Sequence, residues 1–303
     1  MIELLRIGTR GSPLALAQAR LVAEALRETH GWGPERIEIV AMTTTGDVIT
    51  DRPLAEVGGK ALWTKELDRA LADGVTDISV HSMKDVETIR PAELQIAAVL
   101  PRGDVRDRLV GAGSIAALAQ GARVGTSSPR RAAQLLRRRP DLAILAFRGN
   151  VQTRLRKLVL GEADATLLAA AGLDRLDHPG TGTPLDDLLP APAQGAIGIE
   201  ILEANGRLRP LIEAIDDEES HACVTAERRL LEGLGGNCRS PVAALARREG
   251  GQLRLQAEIL SENGSDCEEI DASFAAEDEH APRDLARELL RRAGPSLRAL
   301  FAG

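Results

Sequence analysis

The chain has 303 residues, 44% of them hydrophobic and 27% charged, with a formal net charge of −7, and this size suffices for two or three domains with substantial cores. Aromatic residues make up only 2%, and since nucleic-acid readers need base-stacking rings and a basic surface, we expect no nucleic-acid partner. Three cysteines without framework spacing, and no apolar stretch of signal-peptide or membrane-spanning length, predict a protein of the reducing cytoplasm without a membrane partner.

The first hundred residues alternate between strand patterns and helix patterns. Ser12 and Pro13 provide an N-cap and a first-turn proline, and they mark the start of the first predicted helix. The predicted strands are Leu4–Gly8, Ile37–Met42, Ile78–His81 and Ile96–Leu100, and the predicted helices are Pro13 to about Glu28 and Leu62–Ala72. Such alternation favours an α/β layer with a largely parallel sheet.

The pattern restarts after a connector at 101–104. The next predicted strands are Arg108–Val110, Arg123–Gly125, Ala143–Phe147, Ala165–Leu168 and, further on, Ala196–Glu200, while predicted helices begin at Pro129 and cover Val151–Leu160. A second α/β unit is therefore expected from about 105 to 192. The prolines at its end, Pro184, Pro190 and Pro192, indicate another connector.

From Asp217 onward the pattern is different. A helix through Leu231 leads into a glycine-rich turn, and a terminal helix begins at Pro282. Between them lie three alternating strand patterns, Val242–Arg247, Leu253–Leu260 and Glu268–Phe274. Alternation with one polar face predicts an antiparallel sheet that is covered by helix on its other face, which is a small α+β domain.

Two segments place arginines where a strand leads into a helix, Val124–Arg131 and Phe147–Arg154. Free backbone N–H groups, the positive end of a helix dipole and guanidinium forks together favour carboxylates or phosphates. Thr9–Ser12 repeats this arrangement near the start of the chain. The alternative is that the arginines lie on solvated helix faces and that Ser127 and Ser128 are helix caps only.

The segment His81–Asp85 follows a strand, and ligand sites gather at the carboxyl ends of parallel strands. Lys84 offers a cation for an anionic substrate, and Asp85 offers a carboxylate for a developing positive charge. The alternative is a helix-capping or turn role for Asp85 and a hydrogen-bonded core position for His81.

Cys238 lies in a glycine-rich turn between helix and strand, where a thiol can be exposed and where Arg239 would favour its thiolate. An unreactive, half-buried thiol is the alternative. Neither Cys223 nor Cys267 is expected to be functional. The chain contains no HExxH, paired CxxC or GxGxxG motif, so we predict neither a metal site nor a dinucleotide site.

Taken together, eight ordered blocks resemble the porphobilinogen deaminase (hydroxymethylbilane synthase) family. They are Thr9–Ala19, Val57–Leu67, Asp77–Val86, Val124–Arg131, Arg148–Leu155, Leu168–Leu176, Pro192–Glu200 and Thr225–Ala244. So many blocks in the family's order make the resemblance highly specific, and only the last fifty or so residues are weakly marked.

The resemblance implies a fold of three domains. Two of them, 1–100 plus 195–216 and 104–192, resemble the halves of a type II periplasmic binding protein, with the chain crossing twice between them. The third, 218–303, is a small α+β domain with a three-stranded antiparallel sheet that carries the cofactor cysteine. A monomer is expected.

The resemblance also implies a transferase that joins four porphobilinogen molecules head to tail, releasing ammonia and then hydroxymethylbilane. The implied cofactor is dipyrromethane, attached through a thioether to Cys238. Asp85 matches the catalytic aspartate, whose carboxylate would stabilise the cationic methylene that loss of ammonia leaves. The matching cofactor-binding positions are Arg10, Ser12, Lys60, Lys84, Ser128, Arg130 and Arg131, and the matching substrate-binding positions are Arg10, Gln18, Arg148, Arg154 and Arg175.

Five positions depart from the resemblance. Glu87 stands where a proline is common, Ala193 stands where a glycine is common, and Asn237 precedes the cysteine in place of glycine. Pro129 replaces a small or aliphatic residue, and Trp63 takes an aromatic position that is often phenylalanine. A different class of function remains possible from the residues themselves, namely a non-catalytic clamshell that binds a dicarboxylate or an oxyanion. That alternative explains the arginines but does not explain the cysteine turn.

Overall fold

A computed structural model of the chain describes residues 3–43, 64–237 and 240–301. The predicted binding residue Lys60 and the predicted cofactor cysteine Cys238 lie outside these ranges. The chain divides into two compact units, the first formed by Met1–Arg102 with Ala196–His221 and the second by Gly103–Gly195 with Ala222–Gly303. The chain therefore leaves the first unit twice, after Arg102 and after His221, and returns to it once, at Ala196.

The first unit is built on a five-stranded sheet. Its strands are β1 (Leu5–Arg10), β2 (Ile37–Met42), β3 (Ile78–Ser82), β4 (Leu94–Val99) and β10 (Ile197–Leu202), in the order β2-β1-β3-β10-β4. β1 is parallel to β2 and β3, whereas β10 is antiparallel to β3 and β4. The strand that completes this sheet thus comes from the returning chain.

Helix α1 (Pro13–His30) covers this sheet, together with α2 (Lys65–Ala72) and α6 (Arg209–Glu213). The Ser12 side chain accepts a hydrogen bond from Ala15 N at 3.3 Å, and α1 ends at Gly31, whose φ of 63° is left-handed. The predicted cap is therefore confirmed. The apolar face of α1, including Val22 and Leu26, packs with the sheet residues in one core.

The second unit contains a five-stranded sheet of the same design. Its strands are β5 (Asp107–Val110), β6 (Arg123–Gly125), β7 (Ala143–Leu145), β8 (Ala165–Ala169) and β9 (Thr183–Leu185), in the order β7-β6-β8-β5-β9. β6 is parallel to β7 and β8, whereas β5 is antiparallel to β8 and β9. Its helices are α3 (Pro129–Arg138), α4 (Val151–Val159) and α5 (Ala170–Asp174). The two sheets thus confirm the predicted type II α/β arrangement.

A third sheet has the strands β11 (Val242–Glu249), β12 (Gln252–Leu260) and β13 (Cys267–Ala275), all antiparallel. Helices α7 (Glu218–Gly233), α8 (Ala281–Arg292) and α9 (Pro295–Ala299) accompany it. Buried residues of this region, such as Leu230, Leu255, Ile259 and Leu289, form a separate hydrophobic cluster. The predicted small antiparallel sheet is confirmed, although these residues belong to the same compact unit as residues 103–195.

Several details differ from the sequence-based expectation, including strand bounds such as those of β4, predicted as Ile96–Leu100 and observed as Leu94–Val99. Pro184 was expected in a connector, but it lies in β9 and pairs with Arg108 of β5. Because β9 is an edge strand, the missing N–H of proline leaves the sheet intact. The five-residue helices α5 and α6 were not predicted, since so short a segment shows no periodicity.

The crossing segment before β10 is held by a buried carboxylate. Ala193 has a φ of 61°, a left-handed conformation that is unfavourable for a residue with a Cβ. Its N–H donates to Glu227 Oε2 at 2.6 Å, and Glu227 Oε1 accepts from Ala246 N at 2.7 Å. Glu227 in α7 therefore ties this segment to β11.

None of the helices in the described part of the chain has the length and apolar character that a membrane crossing requires.

Candidate functional site

Asp85 lies at the end of a 3₁₀ turn, Met83–Asp85, that directly follows β3. Met83 is buried, and its N–H donates to Ala196 O at 3.1 Å. Its side chain also packs so closely on Gly198 of β10 that a Cβ there would lie 2.1 Å from the Met83 sulfur. The start of the turn is thus fixed to β10, which places Asp85 at the carboxyl end of β3.

Asp85 lines a small pocket with side chains from neighbouring elements. The other polar residues of the pocket are Arg10, Gln18, Thr64, His81 and Ser82. The buried Gln18 donates from Nε2 to Ser82 Oγ at 2.8 Å, and the same hydroxyl lies 2.9 Å from Gln18 Oε1. No residue in 3–43, 64–237 or 240–301 forms an ion pair with the Asp85 carboxylate. The pocket therefore combines an arginine with a carboxylate whose charge the described residues leave uncompensated.

A group of buried and partly buried polar residues adjoins this pocket and is here called the Arg90 cluster. It consists of Thr64, Asp68, His81, Glu87, Arg90 and Glu200. Arg90 Nε lies 2.8 Å from Glu200 Oε1, its Nη1 lies 2.6 Å from Glu87 Oε2, and its Nη2 lies 2.5 Å from Asp68 Oδ1. Glu87, which departs from the proline of resembling sequences, is thus part of a network.

Glu200 is the most deeply buried member of the Arg90 cluster. Burial favours its neutral form, but hydrogen bonds and charges of His81 and Arg90 outweigh this and lower its pKa to about 2. Because an ionised carboxylate only accepts, His81 Nε2 donates to Glu200 Oε2, at 3.0 Å. His81 is therefore a hydrogen-bonded core histidine. Three carboxylates around one guanidinium give the Arg90 cluster an excess of negative charge.

The second unit contains a buried group in which the cations outnumber the carboxylate. Arg130 and Arg131 are only 3% and 6% exposed, so they do not lie on a solvated helix face. Asp107 Oδ2 lies 2.9 Å from Arg130 Nη1, and Asp107 Oδ1 lies 2.7 Å from Arg131 Nη2. Although burial alone would raise it, the two guanidinium groups hold the pKa of Asp107 well below its usual range. One carboxylate thus serves two cations.

Several guanidinium nitrogens of the second unit are buried without a protein partner. Among the described residues, none accepts a hydrogen bond from Nε of Arg130, Nε of Arg131 or Nη1 of Arg148. Such buried donors are costly to leave unpaired. Since arginine donors suit carboxylates, this donor set fits a group that carries several of them.

The remaining predicted residues of the second unit contact backbone oxygens or cap helices. Ser128 is the N-cap of α3 and accepts from Arg131 N at 3.4 Å. Arg154 donates from Nε to Gly149 O at 3.0 Å. Arg175 donates to Gly195 O at 2.6 Å, and burial lowers its pKa to about 10.

The predicted residues of the first unit fall into two groups. Arg10, Gln18 and Asp85 share the pocket, whereas Ser12 caps α1. Lys84 is half-buried in the turn beside Asp85.

The two described cysteines are poorly suited to nucleophilic attack. Cys223 is buried in α7. Burial, followed by the nearby charge of Glu258, raises the pKa of Cys267 to about 12. Since the thiolate is the reactive form, both thiols are expected to be inert.

Sequence reasoning missed the residues that organise these charges, namely Asp107, Arg90 and Glu200. Arg90 and Glu200 are 110 residues apart, and Asp107 and Arg131 are 24 apart. The available signal was a charged residue inside an otherwise apolar strand pattern, as at Glu200 in IGIEIL. A buried charge requires a partner.

Comparison with known proteins identifies relatives of high sequence identity over nearly the full chain. A family model described as "Porphobilinogen deaminase, dipyromethane cofactor binding domain" matches residues 5–209, and "Porphobilinogen deaminase, C-terminal domain" matches residues 221–291. The porphobilinogen deaminase of Sphingopyxis alaskensis is 55% identical and that of Nitrobacter winogradskyi 47% identical, each over 98% of this chain and 96% of the relative. Among solved structures, the periplasmic VFT2 domain of Bordetella pertussis BvgS is similar with a TM-score of 0.41 and 16% identity, over 71% of this chain and 87% of that one.

Proposed function

Because the chain belongs to the porphobilinogen deaminase family and has its activity and its dipyrromethane-binding domain, we propose that Asp85 is its catalytic carboxylate. The reaction joins four porphobilinogen molecules head to tail, with loss of ammonia, and releases hydroxymethylbilane. More specifically, the enzyme is a transferase that forms carbon–carbon bonds with deamination.

The position of Asp85 carries this proposal. Loss of ammonia from porphobilinogen leaves a positive charge on its exocyclic methylene, and a fixed carboxylate stabilises such a charge. Asp85 lies at a strand end in a pocket with Arg10 and Gln18. Arg10 would bind a carboxylate arm of the substrate, and Gln18 would orient it by hydrogen bonding.

The buried arginines support a carboxylate-rich ligand at the second unit. When bound, the dipyrromethane cofactor supplies the pyrrole to which the first substrate unit is joined. We assign its carboxylates to the following donors: Ser128, Arg130, Arg131, Arg10, Ser12, Lys84 and Lys60. Arg148, Arg154 and Arg175, with Arg10 and Gln18, are assigned to the substrate. The unpartnered nitrogens of Arg130, Arg131 and Arg148 are the donors that fit such groups.

Cys238 is the proposed attachment point of the cofactor. The support comes from the other two cysteines, since Cys223 is buried in a helix and the pKa of the Cys267 thiol is raised. Neither offers an accessible thiolate at neutral pH.

Intact-protein mass spectrometry of the holoenzyme and of three variants tests these assignments. Cys238→Ser should lack the dipyrromethane mass and all activity, whereas the matched variant Cys267→Ser should retain both. Asp85→Ala should retain the cofactor mass but lose turnover by at least about 10²-fold, because the developing charge loses its counter-ion. Normal turnover in Asp85→Ala would overturn its catalytic role, and an unmodified Cys238 in fully active protein would overturn the attachment.

We further propose three domains, 1–100 plus 195–216, 104–192 and 218–303, in a cytoplasmic monomer. The separate hydrophobic cluster around the third sheet supports an individual third domain. The two described cysteines are free thiols, which suits a reducing compartment. Analytical ultracentrifugation tests the monomer directly.

A further inference from the structure

The segment that leaves the Asp85 turn carries two charged side chains that the proposed reaction does not use. They are Glu87 and Arg90, two and five residues after Asp85. The turn is already fixed at its start, where Met83 is bound to β10. What holds its other end depends on these two side chains.

Glu87 connects the end of the turn to the wall of the pocket. Its two carboxylate oxygens each lie 2.9 Å from Thr64 Oγ1, which donates its one proton to this carboxylate. Thr64 immediately precedes α2 and lines the same pocket as Asp85. The Glu87 side chain is 23% exposed, so it is partly accessible to solvent.

Arg90 connects the same segment to two further elements. Its side chain is 8% exposed and donates twice to Glu200 of β10, at 2.8 and 2.9 Å, and once to Asp68 of α2. A guanidinium that is shared by several charged acceptors is held in one orientation, because its donors are fixed in a planar fork. Residues 86–90 are therefore anchored to α2 and β10 at once.

We propose that Glu87 and Arg90 are positioning residues that hold the carboxylate of Asp85 in its productive place. The inference rests on the proposed catalytic role of Asp85. The turn is fixed by Met83 on one side and by this ion pair on the other, and Asp85 lies between the two anchors. Loosening the second anchor lets the carboxylate move while the pocket's own binding groups, Arg10 and Gln18, stay in place.

The first experiment measures steady-state kinetics of the holoenzyme with porphobilinogen. Glu87→Ala should lower kcat about tenfold and change KM by less than about twofold, since small misplacements of a catalytic group are costly while substrate contacts remain. The matched control is Glu93→Ala, an exposed glutamate six residues further on, which should leave both constants unchanged. Equal kinetics in Glu87→Ala and Glu93→Ala would overturn the proposal.

Two conservative variants separate positioning from general stability. Glu87→Gln can still accept from Thr64 and Arg90 and should restore kcat to within about threefold of the parent enzyme. Arg90→Lys keeps the charge but loses the planar fork, so it should lower kcat about threefold or more with KM unchanged. If Glu87→Ala does not fold, an unchanged kcat in Arg90→Lys overturns the proposal by itself.

The Asp85→Glu background gives the sharpest test, because there the carboxylate is already displaced. In that background Glu87→Ala should lower kcat by less than about twofold. The same tenfold loss in both backgrounds would show that Glu87 acts independently of Asp85 and would overturn the positioning role. Failure of the proposed function is seen separately, as normal turnover in Asp85→Ala with Glu87 intact.

Discussion

The two α/β sheets have the same strand order but opposite buried charge. In the first unit one guanidinium, Arg90, lies among three carboxylates. In the second unit one carboxylate, Asp107, lies between Arg130 and Arg131. In each sheet, an antiparallel strand from the chain that has just crossed lies beside one of the parallel strands, β10 beside β3 and β5 beside β8. That strand carries a buried carboxylate in both sheets, Glu200 in β10 and Asp107 in β5.

The difference teaches how one topology can serve two kinds of chemistry. An excess of carboxylates near Asp85 favours positive charge, which the reaction generates on its substrate. An excess of guanidinium groups favours the carboxylates that substrate and cofactor carry. The sheet supplies the positions, and the side chains placed at them decide the sign of the local charge.

The largest expected effect is at Asp107. Asp107→Asn leaves Arg130 and Arg131 buried without a counter-charge and should lower the free energy of unfolding by about 3–5 kcal/mol. Urea unfolding followed by circular dichroism measures it. Asp141→Asn is the matched control, since Asp141 pairs with Arg139 at the surface, and it should have little effect. A loss no larger than that of the control would show that the two arginines need no internal counter-ion.

An intermediate effect is expected for acid stability through Glu200. Its folded-state pKa, about 2, lies below the unfolded value of 4.5, so its contribution is fully present above pH 4.5 and is lost as the pH falls toward 2. At about 1.4 kcal/mol per unit of pKa, the contribution is about 3 kcal/mol. The midpoint temperature of thermal unfolding should therefore decrease less steeply between pH 6 and pH 2 for Glu200→Gln than for the parent protein. Parallel curves would contradict the ionised state of Glu200.

The smallest effect concerns a feature that both units share. Ser12 and Ser128 are N-caps before a first-turn proline in α1 and α3. Ser12→Ala and Ser128→Ala should each lower the free energy of unfolding by about 1 kcal/mol, because one first-turn N–H loses its acceptor. Aspartate at either position should restore it, and Ser296→Ala in the exposed part of α9 is the control. A loss at only one of the two caps would show that the units are not equivalent there.

Elements with strong local signals were predicted closely. The strands Ile37–Met42 and Arg123–Gly125 have the predicted bounds, and α3 begins at Pro129 as expected. Alternating apolar residues and a serine–proline cap act over a few residues, so they can be read from the chain alone. The strand at Pro184 could not be predicted, because an edge position is a property of the sheet and not of the residue.

The residues of the candidate site likewise divide into those that the sequence predicted and those that it did not. Asp85, Arg130 and Arg131 were predicted as site residues from their residue types and from their positions at strand ends, and this assignment stays a prediction. Asp107, which pairs with both arginines, and the Arg90–Glu200 pair of the first unit were missed. Glu87 was noticed as a departure, but its contact with Thr64 and Arg90 could not be anticipated.

By itself the sequence determined which serines cap helices and which acidic and basic side chains stand near strand ends, because these are consequences of neighbouring residues. Only the tertiary structure decided which charges share a buried environment. Arg90 and Glu200 are 110 residues apart and meet because β10 pairs with β3 and β4. Their electrostatic balance exists only once the sheet has excluded water from around them.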